Sequence, residues 1–167
     1  MTLETWLREN GLSALGGNWR VHIETALRFA SCVPDERRRE IVFRLPEANR
    51  ELLLPLLRQW AQGVIPAAVL EKAKALGLDE KCRRVSVRDQ SGRWGSCSSS
   101  GTLSLNWRLV LLPWPLHDYV ILHELGHFAH MNHSGEFWDF LHAHNENAGR
   151  LDRTLMKLST QVMLLGR

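Results

Sequence analysis

Cysteine is scarce in this 167-residue chain, which carries only Cys32, Cys82 and Cys97, with no CxxC spacing among them. An odd and scattered set excludes both a disulfide framework and a cysteine zinc knuckle, so the thiols are expected to stay reduced. No apolar run approaches the roughly 20 residues that cross a bilayer, and the start, Met1 to Glu9, lacks the basic and apolar segments of a secretory signal. The expected location is the cytoplasm, with no membrane partner. Internal repeats, low-complexity tails, a P-loop and a paired-carboxylate magnesium site are all missing.

What is present suffices for a core. With 44% hydrophobic and 23% charged residues, the composition is that of one globular domain over 1–167. Its expected parts are a short β region over 1–48, a core segment over 49–147 that holds the site, and a carboxy-terminal helix over 148–167. The net charge of +3 is concentrated at Arg37 to Arg39 and in the series Arg83, Arg84, Arg88 and Arg93. Solvated faces flanking strands are the ordinary explanation of such runs; an acidic substrate or nucleic acid is the alternative.

Alternating apolar residues predict strands around Val21, Ile23 and Leu27 and around Ile41, Phe43 and Leu45, with Pro34 to Glu36 as a turn between them. From Asn49 to Gly77, Leu52, Leu53, Leu56, Leu57 and Trp60 recur at helical spacing, and Gly63 with Pro66 predicts a break into two helices. Val85 and Val87, then Leu103, Leu105 and Trp107, flank the turn-rich Gly92 to Gly101 and predict a β-hairpin with an elaborate loop. Pro113 and Pro115 mark a helix start, and the run from Tyr119 to His130 continues that helix. Ser134 is the expected N-cap of a further helix, and Leu151, Leu155, Leu158 and Val162 form the stripe of a last one.

The chemistry concentrates in His123-Glu124-Leu125-Gly126-His127. Histidines four apart on a helix lie one turn apart on one face, so both imidazoles reach a single ion at roughly 2.0–2.1 Å. Glu124 is turned by about 100° from His123, beside the metal and not on it, where a general base belongs. Zinc with three protein ligands keeps a position for water and lowers its pKa to roughly 7, which makes metal-assisted hydrolysis the reaction class. His133, beyond the helix end at Met131-Asn132, is the favoured third ligand. His130 and Glu136 are the competitors.

These residues, with Arg93-Trp94-Gly95-Ser96-Cys97-Ser98, Leu103 to Leu109 and Met131-Asn132-His133-Ser134 followed by Phe137-Trp138, resemble the YgjP-like branch of the zincin metallopeptidases, which is related to SprT-like and WLM-type proteins. The resembling stretch runs roughly from Leu52 to Leu141, and the amino-terminal strands match it poorly. The resemblance implies His123, His127 and His133 as zinc ligands and Glu124 as the catalytic glutamate. It also implies an α+β, minimal zincin-like fold, with a small sheet on the motif helix and a hairpin edge strand bordering the cleft. The spacing from His123 to His133 equals that of the metzincins, but His130 stands at their glycine position and no Met-turn follows.

Arg93 and Asn106 are the candidate substrate-binding residues, Asn106 on a strand suited to holding an extended peptide. Trp94 is expected to pin the loop, Cys97 to be a small core residue, and Phe137 and Trp138 to pack in the core. His22, His117, His142 and His144 are expected on the surface or at helix caps. Gly126, unfavourable in a helix by roughly 1 kcal/mol, suggests close packing of another element. The expected substrate is a peptide or unfolded protein segment. Nucleotide phosphoanhydride hydrolysis at the same zinc site, or a DNA-associated protein with structural zinc, are the alternatives.

Overall fold

A computed structural model describes residues 1–167. The two alternating stretches form β2 (Gly17–Ala26) and β4 (Glu40–Pro46), which turn Ile23, Ile41, Phe43 and Leu45 inward. They pair in parallel, with Val21 opposite Ile41 and Ile23 opposite Phe43. The strand between them in sequence, β3 (Ser31–Asp35), returns antiparallel along the outer side of β4. Pro34 and Asp35 therefore lie in an edge strand, where a missing N–H is tolerated, and the reversal falls at 36–39. Helix α1 (Leu3–Asn10) and strand β1 (Leu12–Ala14) precede these, completing a sheet of order β1-β2-β4-β3. Neither carries a periodic signal long enough to read from sequence.

The second sheet corrects the expected hairpin. Strand β5 (Arg84–Arg88) runs parallel to β7 (Thr102–Asn106), with Val85 opposite Leu103 and Val87 opposite Leu105. The true hairpin joins β6 (Gly95–Cys97) to β7, where the Ser98 hydroxyl accepts from the Thr102 amide at 3.1 Å. The excursion over 89–94 carries the chain past one strand position, so β7 inserts between its predecessors in the order β5-β7-β6. The first sheet repeats this arrangement with β2, β3 and β4. In each case the inserted strand is the most buried.

Helix α2 (Leu53–Ala75) is continuous through Pro66, not broken into two. Its buried stripe of Leu53, Leu57, Ala61, Ile65, Val69 and Ala73 runs unbroken along the core, while Gly63 is exposed. The apolar burial of that stripe, about 1.5–3 kcal/mol per large side chain, outweighs the roughly 3 kcal/mol cost of one interior proline. Helix α3 (Trp114–Gly126), opened by Pro113 and Pro115, buries residues on every side. An all-round apolar helix is a central one. Helices α4 (Gly135–His144) and α5 (Ala148–Val162) cover it, giving an α+β fold around 39 buried apolar residues. No helix is long and apolar enough to cross a membrane.

His117 is the one scattered histidine placed against expectation, since it is fully buried in α3. Its Nδ1 meets the Ser13 hydroxyl at 2.8 Å, and its Nε2 has no partner. Burial lowers its pKa to about 3 from the ordinary 6.5. The folded state thus holds it neutral, and its contribution is complete above pH 6.5 and lost as pH falls through the folded value. Metal-free wild-type protein is expected to lose about 3 kcal/mol through this group between pH 6.5 and 4. Urea midpoints across that range test this: H117F should show a shallower acid dependence, and an equal slope would contradict it.

Candidate metal centre

The motif helix ends at Gly126, earlier than the sequence predicts, and His127 is its C-cap. Its φ of −66° and ψ of −19° are still helical, so the four-residue spacing survives. The chain then turns through Phe128 to His130, with the His130 amide returning to the Gly126 carbonyl at 2.9 Å. This turn swings His133 back over the helix. Ser134 then caps α4 by accepting from the Phe137 amide at 3.4 Å. Gly126 lets α4 approach, for a β-carbon there would sit 3.2 Å from Phe137 and 3.4 Å from both Leu141 and Phe140.

His123, His127 and His133 come together, each offering a nitrogen within 4.8 Å of the others. The Nε2 atoms of His123 and His133 face one another at 3.1 Å. That is close to the edge of a zinc-centred tetrahedron, about 3.3–3.4 Å for Zn–N of 2.0–2.1 Å. His123 Nδ1 lies 3.3 Å from the Tyr119 hydroxyl, which donates to Asp152 at 2.9 Å. His127 Nδ1 donates to the His130 carbonyl at 3.1 Å. With both Nδ1 atoms serving as donors, the Nε2 lone pairs of His123 and His127 are left free, the tautomer that ligation requires. Lone pairs converging at this range repel unless a cation lies among them, so the donor set fits a metal ion. Burial, with the neighbouring His127 and His133, lowers the His123 pKa to about 4, and burial also lowers that of His127. Both rings are therefore neutral at pH 7, as ligands must be.

His130 turns elsewhere: its ring lies 3.9 Å from Glu136, and its carbonyl, not its imidazole, serves His127. Three contributors carried no clear sequence signal of a role here. Phe137 stacks on His127, with ring centroids 4.6 Å apart and planes 14° apart, and meets His123 and His133 edge-on. Its apolar periodicity announces only a core residue. Tyr119 stands four before His123 and so shares its helix face. Asp152 arrives from α5, beyond the reach of local patterning. Because the pair orients a ring without touching the ion, D152N and Y119F are each expected to weaken zinc affinity by about 10–100-fold. Competition with a chromophoric chelator measures it, and wild-type affinity in both would refute the role.

Glu124 is 8% exposed and faces β6. A β-carbon on Gly95 would lie 2.7 Å from its Cγ and 2.9 Å from its Cδ, so only glycine admits the carboxylate here. Burial raises the Glu124 pKa to about 7 against the opposing pull of the Arg93 guanidinium. Cys97, half-buried on the same strand, has its thiol pushed up to about 12, mainly by burial and then by Glu124. It is an unreactive thiol. Trp94 is buried and donates its indole N–H to Ser159 Oγ at 2.7 Å, pinning the loop to α5.

Arg93 is exposed beside this site. Asn106 corrects expectation, because it is fully buried and β7 is the central strand. Its amide donates to the carbonyls of Gln90 at 2.8 Å and Arg93 at 3.1 Å. With no exposed surface it meets no substrate; it holds the loop that carries Arg93. Arg108, 1% exposed, works below it, donating to Asp89 at 2.5 Å and to the Leu165 carbonyl at 2.8 Å. Both β5 and β6 are edge strands of this sheet, and of the two it is β6 that packs against α3.

The profile of a family described as YgjP-like, metallopeptidase domain, matches residues 3–158. The match extends well beyond the Leu52 to Leu141 stretch, so the amino-terminal helix and strands belong to the pattern as well. No curated protein matches the chain.

Proposed function

Because this chain belongs to the YgjP-like metallopeptidase domain family, we propose that it is a zinc-dependent peptidase, with His123, His127 and His133 holding the ion and Glu124 acting as general base. The observation that carries this reading is the convergence of three imidazole nitrogens within 4.8 Å beside a buried glutamate. When bound, zinc supplies Lewis-acid polarisation of a carbonyl and acidification of water. The remaining work falls to the chain. Glu124, held in a poorly solvated position against Gly95, takes the proton from the attacking water and returns it to the leaving amine. The free edge of β6 offers backbone N–H and C=O groups to an extended peptide, aligning it along α3. Asn106 and Arg108 set the loop from which β6 and Arg93 start. The outer face of the site is open at His133, which is exposed.

A donor set of three histidines also suits catalysis better than structural zinc, which is usually enclosed by four protein ligands. The nucleotide reading draws on one observation, the arginines near the loop. Arg88 and Arg93 border a cavity of about 580 Å³ without a single apolar lining residue. Such a lining accepts an anionic group but gives a base nothing to stack on. Screening zinc-loaded protein against a peptide library and a nucleoside triphosphate panel separates the two readings. Cleavage of triphosphates alone would replace peptidase by phosphoanhydride hydrolase.

A further inference from the structure

We propose that the cavity at the β5–β6 loop is an anion-binding subsite that selects substrates carrying a carboxylate or phosphate group near the scissile bond; this rests on the peptidase reading above. Its lining is made of Arg88, Asp89, Gln90, Ser91, Gly92, Arg93 and Ser104. The volume, about 580 Å³, is within the range of small-ligand sites, roughly 300–1,000 Å³.

The charges do not cancel. Asp89 is the only carboxylate in the lining, and it is already committed to Arg58 and to Arg108. Arg88 and Arg93 are exposed, and neither is paired with an acid. Arg93 gives its Nε–H to the side-chain amide oxygen Oε1 of Gln90 at 2.6 Å, which leaves its two terminal nitrogens for a ligand. Gln90 adds a second sign: the amide that accepts from Arg93 has a buried Nε2 with no acceptor. An unpaired buried donor costs about 1–3 kcal/mol, which a ligand acceptor, an oxyanion oxygen included, relieves once the side chain turns into the cavity. Ser91 and Ser104 add hydroxyls, the latter already engaged with Ser86 at 2.8 Å.

The subsite adjoins the chemistry. Arg93 lies two residues before β6, and its charge is felt at Glu124. A peptide along the β6 edge therefore passes Arg93 as it reaches the glutamate. Guanidinium forks match carboxylate and phosphate oxygens alike, so both sources share one recognition chemistry.

Three matched pentapeptide amides test the proposal: Ala-Ala-X-Ala-Ala-NH2 with X as glutamate, phosphoserine or glutamine, each carrying the same uncharged fluorophore. Binding is read by anisotropy on zinc-loaded, full-length E124Q, and turnover on zinc-loaded wild type. The anionic peptides should bind about tenfold more tightly than the glutamine peptide, equivalent to one charge-assisted contact of about 1.4 kcal/mol. That ratio should shrink with added salt and approach one in R88Q/R93Q. The stronger of the glutamate and phosphoserine peptides identifies the source. Equal binding and turnover of all three peptides would overturn the subsite and leave the peptidase standing. Arginine-dependent binding with no turnover of any peptide would keep the subsite and remove the peptidase reading. Binding of none would overturn both.

Discussion

Replacing Glu124 with glutamine is expected to leave zinc bound and to lower peptide turnover by about 10²–10⁴-fold, the usual contribution of a positioned general base. The substitution is nearly isosteric, so the close approach to Gly95 that admits this side chain persists. What disappears is the proton acceptor. The three imidazoles stand apart from the exchange, since each has its own support: Tyr119 for His123, the His130 carbonyl for His127, and the turn before Ser134 for His133. Zinc affinity should therefore stay within a few-fold of wild type, while kcat falls. Stability supplies a further readout. Burial raises the Glu124 pKa to about 7 from the ordinary 4.5, so in metal-free wild type its ionisation costs stability increasingly as pH rises from 4.5 through 7. Metal-free E124Q lacks that cost and should melt at the same or higher temperature at pH 8. Unchanged turnover of a substrate found in the peptide screen would remove Glu124 from the mechanism.

Replacing His133 with alanine should instead lower zinc affinity by on the order of 10²-fold. Structural zinc sites give about 10–16 kcal/mol over four ligands, which is near 3 kcal/mol for each, and each 1.4 kcal/mol is tenfold. His133 is exposed and sits in a turn, so its removal disturbs little packing, and the metal-free variant should unfold like wild type. Loss of metal without loss of apo stability is the signature of a ligand. His130 provides the control: its ring is directed toward Glu136, and the backbone carbonyl that supports His127 remains in H130A. That variant should keep zinc at near wild-type affinity. Zinc analysis after dialysis, with chelator competition, measures both. The opposite ranking would transfer the third-ligand role to His130.

Much of the centre was legible because it is local. The spacing of His123 and His127 dictates a shared helix face, and Glu124 follows from the same rotation per residue. Ser134 as an N-cap was readable from residue type, and it locates the turn that returns His133. The resemblance in the loop and the β7 segment pointed to the same family that residues 3–158 match. Where local rules misled, a competing interaction prevailed. Pro66 reads as a helix break, yet the buried stripe of α2 carries the helix through it. Val85 and Leu103 read as hairpin partners, yet they run in parallel, because pairing depends on how the intervening loop crosses and not on alternation.

The sequence by itself determined the candidate site on the motif helix, His123, Glu124 and His127, since their shared placement depends on spacings of one to four residues. It also determined the α+β composition of the fold. Only the tertiary structure decided what surrounds that chemistry. Asp152 reaches His123 through Tyr119, and Phe137 stacks on His127. Gly95 yields its β-carbon space to Glu124, and Asn106 withdraws into the core to hold the loop of Arg93. Each of these contacts joins segments distant in sequence. No local period encodes such a meeting, which follows from the burial of α3 among both sheets and the helices α2, α4 and α5.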